Sequence, residues 1–357
     1  MASTTTAPPG LLQTPSPPES TDYSTSPSSS ASDNGSLGPS APHGTDFFLT
    51  KGLQDAERKK YRDPQSFFRA LSSQADKILS GKASQFAVFA PVTQAQLAAI
   101  ERIRHANYKG LRFQYFKDAE TLIVKIVAGI VHGLASMGFG TMLDIKIGRM
   151  GLRYHIARTE ATTFHGNGSQ KEADCSWKPG FFRRLATDWP TMVIECGVEK
   201  SLERLKADVH WWFEHSEGQV KIVLVISFSQ TKREIHFEQW EMATMPGPYL
   251  SSGEPGPARR VPLMVREFDI AESDGSQGSL AINFESIFLR PPVQGHPVQY
   301  ASIEDAPIED APIQDASVEA WNLHGPPVIG AIIPEGDFTF GPVELSYYAT
   351  HVWYNAQ

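Results

Sequence analysis

The sequence predicts an α/β (α+β) domain with a central mixed sheet flanked by helices, and three observations predict it. The stretch from Pro190 to Glu241 reads as a short apolar run, an amphipathic helix, a longer apolar run and an alternating strand, a β-α-β-β unit. Helix-period patterns upstream, at 64–80 and 93–106, precede strand-like runs. A chain of 357 residues, 41% of them hydrophobic, is long enough to bury a sizeable core. No apolar run reaches the ~18 residues of a membrane span. The two cysteines, Cys175 and Cys196, are too few for a disulfide framework. The expectation is an intracellular, reduced protein of the nucleus or cytoplasm, without membrane, signal or transit segments.

Residues 1–45 are rich in Ser, Thr, Pro and Gly and poor in large apolar groups, so they form an expected disordered tail with three Ser-Pro or Thr-Pro pairs at Thr14, Ser16 and Ser26. The tail carries Glu19, Asp22 and Asp33 and no Lys or Arg. A second acidic stretch lies in 301–321, where a degenerate pentad (ASIED, APIED, APIQD, ASVEA) repeats with neither helix nor strand period. Setting these two stretches aside turns a net charge of −8 into a nearly neutral remainder, which offers no basic grip on nucleic acid. The expected division is a tail at 1–45, an α/β domain at 46–292, an acidic linker at 293–335 and a C-terminal helix within 336–357 that packs on the domain.

Within the domain, Phe67, Phe68, Leu71, Ala75, Ile78 and Leu79 mark one buried helical face, and Leu97, Ile100 and Ile103 mark another. The preceding cluster Arg58, Lys59, Lys60 and Arg62 reads as a solvated face. Arg112 to Val127 reads as two strands joined at Lys117-Asp118-Ala119. Ile130, Leu134, Met137, Met142, Ile145 and Ile147 outline a helical segment interrupted by Gly138 and Gly140, with His132 as a capping or packing residue. RYHIARTEATTF is strand-like, HGNGSQKE a loop, and ADCSWKP the strand that carries Asp174. After Glu241, strands are expected near 260–268 and 279–288, then a short helix starting at Pro342 with Leu345, Tyr348, Ala349 and Val352 inward.

The chemistry rests on two acids. Alternation along strands puts Asp174 and Cys175 on opposite faces, and likewise Glu195 and Cys196. If the two segments are neighbours, the acids share one face and the cysteines the other. Paired carboxylates on adjacent strands suit a hard divalent cation such as Mg²⁺. Glu195, set among apolar residues in MVIEC, needs a cation or hydrogen bonds to offset its desolvation. The bland alternative is that Asp174 ends a strand and Glu195 pairs with Lys206 or Arg204. On the helix, Leu202, Leu205, Val209, Trp212 and Phe213 define the buried face, Lys206 its edge, and Lys200 and Arg204 the solvent side.

The order ADCSWKP, WPTMVIECG, SLERLKADVHWWFEHS, VKIVLVISF and REIHFEQWE resembles the PD-(D/E)XK nuclease-like fold over roughly residues 110–245. It is most similar to restriction-endonuclease-like domains of fungal proteins, and more distantly to Uma2-type endonuclease-like domains. That resemblance implies Mg²⁺ held by Asp174, Glu195 and the backbone carbonyl of Cys196, and phosphodiester hydrolysis of nucleic acid. It also implies a lysine two residues after the glutamate, but Gly197 stands there. The resemblance therefore shifts that role to the following helix, with Lys206 preferred over Lys200 and Arg204. An acid beside a histidine on the first helix is also missing, since Gly133 follows His132. Two expectations follow: a Mg²⁺-dependent nuclease with Lys206 stabilising developing charge, or a catalytically inactive member serving as a binding or scaffold module.

Overall fold

Charged residues rarely enter strand interiors unless another element covers and neutralises them, and this molecule places two sheets and a helix around such a row. The computed structural model describes residues 43–79, 82–108, 110–127, 129–159, 162–247, 256–272, 275–276, 278–293 and 333–355. Residues 1–42 of the Ser/Thr/Pro-rich tail and the whole pentad repeat lie outside the described residues. Helices are α1 (Thr45–Thr50), α2 (Pro64–Leu79), α3 (Gln94–Asn107), α4 (Ile130–Arg149), α5 (Leu202–His215), α6 (Phe284–Phe288) and α7 (Pro342–Tyr354). The strands before α5 are β1 (Glu57–Lys59), β2 (Phe86–Phe89), β3 (Leu111–Phe116), β4 (Thr121–Ile126), β5 (Ile156–Thr159), β6 (Thr163–His165), β7 (Ser169–Glu172), β8 (Cys175–Pro179) and β9 (Met192–Val198). Those after it are β10 (Ile222–Ser229), β11 (Glu234–Met245), β12 (Arg259–Ala271), β13 (Gly275–Ser276), β14 (Leu280–Ile282) and β15 (Phe338–Phe340).

The first sheet has the order β1-β2-β4-β3-β7-β6 and the second β13-β12-β11-β10-β9-β8-β5. Both are mixed: β1 and β2 are parallel, as are β9 and β10, while the other pairings in these two sheets are antiparallel. The β9-α5-β10 crossover is the β-α-β unit read from Pro190 onward. Helices α2 and α3 cover the outer face of the first sheet, where Phe67, Leu71, Leu97 and Ile100 meet Ala87, Phe113 and Val124. The outer face of the second sheet meets α4, α6 and α7 through Phe139, Leu143, Ile287, Leu345 and Trp353. The inner faces of both sheets share a third apolar cluster with α1 and α5, including Phe48, Ile123, Val193, Val209 and Trp212.

Local signals explain most boundaries. Thr93 and Gln96 form a reciprocal capping box at the start of α3, a cap that contributes about 1 kcal/mol. Pro342 opens α7, whose inward residues are those expected from its periodicity. The β3–β4 hairpin turns at 117–120, where Lys117-Asp118-Ala119 predicted it. Several expectations changed. Helix α4 runs unbroken through Gly138 and Gly140, because a Cβ at Gly140 would press on Arg158 at 3.0 Å and Trp177 at 3.2 Å; the glycine serves close approach, not interruption. Its buried stripe is Val131, Ala135, Phe139, Leu143 and Ile147, whereas Ile130, Met137 and Ile145 are exposed. The segment read as the loop HGNGSQKE contains β7, and 279–288 holds β14 followed by α6 in place of one strand. The described residues begin at His43, and α1 starts at Thr45, one residue before the expected domain start at Asp46. The segment from residue 333 onward is part of the same unit, since β15 pairs with β14 and Tyr348 donates to the Ala135 carbonyl of α4. Among the described residues, no helix is long and apolar enough to cross a membrane.

Candidate functional site

Strands β8 and β9 pair antiparallel with Cys175 opposite Ile194, and the same register sets Asp174, just before β8, opposite Glu195. The expectation that the two segments are neighbours holds. Cys175 and Cys196 both lie in the apolar cluster of the outer face, and both are buried and outside any disulfide. Burial, reinforced by the nearby Asp174 charge, pushes the Cys196 thiol well above its ordinary range. It is a core residue in its side chain.

The carboxylates are joined by a lysine from the other sheet. Lys125 Nζ, on β4, lies 2.6 Å from Asp174 Oδ2 and 2.9 Å from Glu195 Oε2. From Glu195 the charges continue in alternation. Lys171 of β7 stands 3.3 Å from Glu195 Oε1 and 3.1 Å from Asp208 of α5, and Arg204, one turn earlier on α5, lies 3.1 Å from Asp208. Arg204 then donates to the Phe48 carbonyl at 2.5 Å and to Gln114. All six charged side chains are buried, Lys171 being the most exposed at 5%. The row runs from β8 through β4, β9 and β7 to α5, so it stitches the two sheets and the crossover helix together.

Neutral donors complete the row. Trp212 Nε1 donates to Glu195 Oε1 at 2.8 Å, and the Cys196 amide donates to Asp174 Oδ2 at 2.8 Å. His132 Nε2 lies 2.9 Å from the Cys196 carbonyl; the carbonyl accepts, so Nε2 carries the proton. The same nitrogen is 3.5 Å from Asp174 Oδ2. Burial alone would raise the Asp174 pKa, but Lys125 and His132 outweigh it and hold this carboxyl well below the usual carboxylate range. The same two carboxylates overcome the desolvation of Lys125 and raise its ammonium pKa.

Sequence reasoning placed Asp174 and Glu195 together correctly but supplied the wrong cations. Lys206, the expected charge-stabilising residue, pairs with Glu238 of β11 at 3.0 Å and makes no ion pair with either acid. Glu238 also receives His236 and Trp240, and its hydrogen bond raises the His236 pKa to about 9. Arg204, expected on the solvent side, is fully buried, because Gln114 and the α1 carbonyls receive its guanidinium. Lys200 lines a surface cleft. Gly197 lacks a side chain for a packing reason: a Cβ there would lie 2.8 Å from Gln85 Oε1, which holds the Val198 amide, and 3.2 Å from Leu205. The residues missed were Lys125, Lys171 and Asp208. One signal could have found the first: Lys125 interrupts the apolar run TLIVKIV just as Glu195 interrupts MVIEC.

The donor set does not fit Mg²⁺ as arranged. A magnesium ion requires six oxygens, several of them water. Here Asp174 Oδ2, both Glu195 oxygens and the Cys196 carbonyl already accept from nitrogen donors. Of the oxygens on these three residues only Asp174 Oδ1 lacks a hydrogen bond, with Arg112 standing 3.9 Å from it, and the two Asp208 oxygens, which also lack one, face Lys171 and Arg204 at 3.1 Å. The three acids of the row are balanced by Lys125, Lys171 and Arg204, so a divalent ion would leave excess buried positive charge. The space beside Lys125 and Lys171 is about 10 Å³, roughly one water.

No family model matches the chain, and no curated protein matches it. Among solved structures, a candidate nuclease belonging to DUF820 from Anabaena variabilis aligns with 11% identity over 40% of this chain and 86% of that chain, with a TM-score of 0.27. At that level of superposition the likeness adds nothing to the geometry described above.

Proposed function

We propose that the chain is a non-catalytic binding or scaffold module on a nuclease-like framework, with the Asp174–Glu195 pair serving as a structural anchor. The observation behind this reading is Lys125 Nζ seated between the two carboxylates at 2.6 and 2.9 Å. A buried ammonium occupies the position between the acids, and neighbouring N–H groups take the remaining oxygens except Asp174 Oδ1. The reading is tested by incubating the protein with single- and double-stranded DNA and with RNA in Mg²⁺ or Mn²⁺, alongside thermal unfolding with and without the metal. The expected outcome is no cleavage and no metal-linked rise in Tm. Metal-dependent cleavage lost in both Asp174→Ala and Glu195→Ala overturns it.

Two features favour the second reading, a Mg²⁺-dependent phosphodiesterase acting on nucleic acid. Asp174 Oδ1 is buried without a hydrogen bond. A cleft of about 490 Å³ opens at the carboxyl ends of β9 and β10, lined by Val198, Lys200, Gln85 and Lys82, where open α/β sheets gather ligands. On that reading the relevant cation is Lys125 and not Lys206, so Lys125→Ala abolishes cleavage and Lys206→Ala preserves it.

A further inference from the structure

Helix α5 carries a second cluster on the side opposite Asp208. His210 and Glu214 stand one turn apart there, and His43, just before α1, reaches them from the N-terminal segment. One ring nitrogen each of His43 and His210 and a Glu214 carboxylate oxygen all lie within 4.8 Å of one another. Glu214 Oε1 is 2.6 Å from His43 Nδ1 and 3.8 Å from His210 Nδ1. Donors on a tetrahedral zinc ion, at ~2.0–2.1 Å from the metal, stand about 3.3 Å apart. The 2.6 Å contact is a hydrogen bond between the His43 ring and the carboxylate, whose proton a metal ion would replace, and the His43 backbone amide donates to the other Glu214 oxygen at 3.0 Å.

The three groups have the chemistry of ligands. His210 Nδ1 is shielded and has no hydrogen-bond partner. The side chains are 21%, 24% and 18% exposed for His43, His210 and Glu214, so an ion can reach them from solvent. Phe47, with its ring 3.9 Å from that of His43, and Trp240, 6.1 Å from His210, wall the cluster with apolar surface. The cluster also sits at a mechanical junction. The far end of α1 is tied to α5 by Arg204 on the Phe48 carbonyl and by the Lys51–Glu203 pair at 2.7 Å. His43 is the matching tie at the near end, so α1 lies antiparallel along α5.

We propose that His43, His210 and Glu214 form a binding site for a divalent transition metal of the zinc type, with a fourth position open to solvent. The ion clamps the segment entering α1 onto α5. Mixed imidazole and carboxylate donors suit this class over the oxygen-seeking Mg²⁺ or Ca²⁺. Chelator-treated full-length protein is titrated with ZnCl₂ by calorimetry, with Co²⁺ absorption as a report of tetrahedral coordination and circular dichroism to verify folding. The expected result is one Zn²⁺ per chain with a raised Tm. His210→Gln and Glu214→Gln lose about tenfold or more in affinity, whereas His236→Gln, in a separate His–Glu cluster with Glu238 and Glu267, leaves it unchanged. Should the helix variants not fold, His43→Ala, which lies outside the helix, carries the same expectation. No Zn²⁺ binding by the wild-type protein, or undiminished affinity in the folded variants, overturns the proposal.

Discussion

The two faces of β9 solve burial in opposite ways. Ile194 and Cys196 point into a large apolar cluster, whereas Glu195 points into a row of alternating charges, and all three are at most 1% exposed. On the apolar face each side chain contributes by area and fit, and a small loss is tolerated. On the charged face each group is tolerable only because its neighbour is present, since an unpaired buried ion costs several kcal/mol. The strand interior thus holds a forgiving face and an unforgiving one.

Lys125→Met breaks the comparison most severely. It leaves Asp174 and Glu195 facing each other without their shared cation, and urea unfolding should show a loss of about 3–5 kcal/mol. Combining it with Asp174→Asn and Glu195→Gln should recover much of that loss, because the row then holds no stranded charge; a triple variant as unstable as the single one refutes the charge account. Asp174→Asn alone comes next, at about 1.5–3 kcal/mol from a weakened charged hydrogen bond. It also changes the acid limb. A carboxyl whose folded pKa is depressed contributes stability fully above its ordinary value of 3.8 and loses it as pH falls through the lower folded value. Thermal melts below about pH 4 should therefore fall less steeply in Asp174→Asn than in wild type. The smallest effect belongs to the apolar face: Ile194→Val removes one methylene and should cost about 0.5–1.5 kcal/mol in the same urea experiment. If it rivals Lys125→Met, the distinction between the faces fails.

The strand and helix framework was legible because its signals are local. Thr93 announces α3, Pro342 announces α7, and the apolar runs at 192–198 and 222–229 could only be buried strands. The pairing of Asp174 with Glu195 was legible for the same reason, as alternation on adjacent strands leaves little choice of face. What covers that face was not. Lys125 and Lys171 come from a separate sheet whose packing no local pattern encodes, and helical periodicity misplaced Arg204 because it presumed solvent where α1 lies. Lys206 followed the helical wheel to the edge, but β11 offered Glu238 there. Partner choice for a charged group is a tertiary fact. The only trace left in sequence is a charge standing alone in an apolar run.

The register of β8 against β9 has a consequence for how the chain finds its fold. Cys175 sits opposite Ile194, and Asp174 and Glu195 follow from it. A slip of one residue would turn Glu195 toward Phe139 and Leu224 and bring Cys196 to the ammonium of Lys125. A uniformly apolar strand pair could survive such a slip as a near-native alternative; this pair cannot, because the misaligned state buries an acid in hydrocarbon and orphans a cation. The charge row thus acts as a checksum on strand alignment, a use for paired acids that requires neither metal nor substrate.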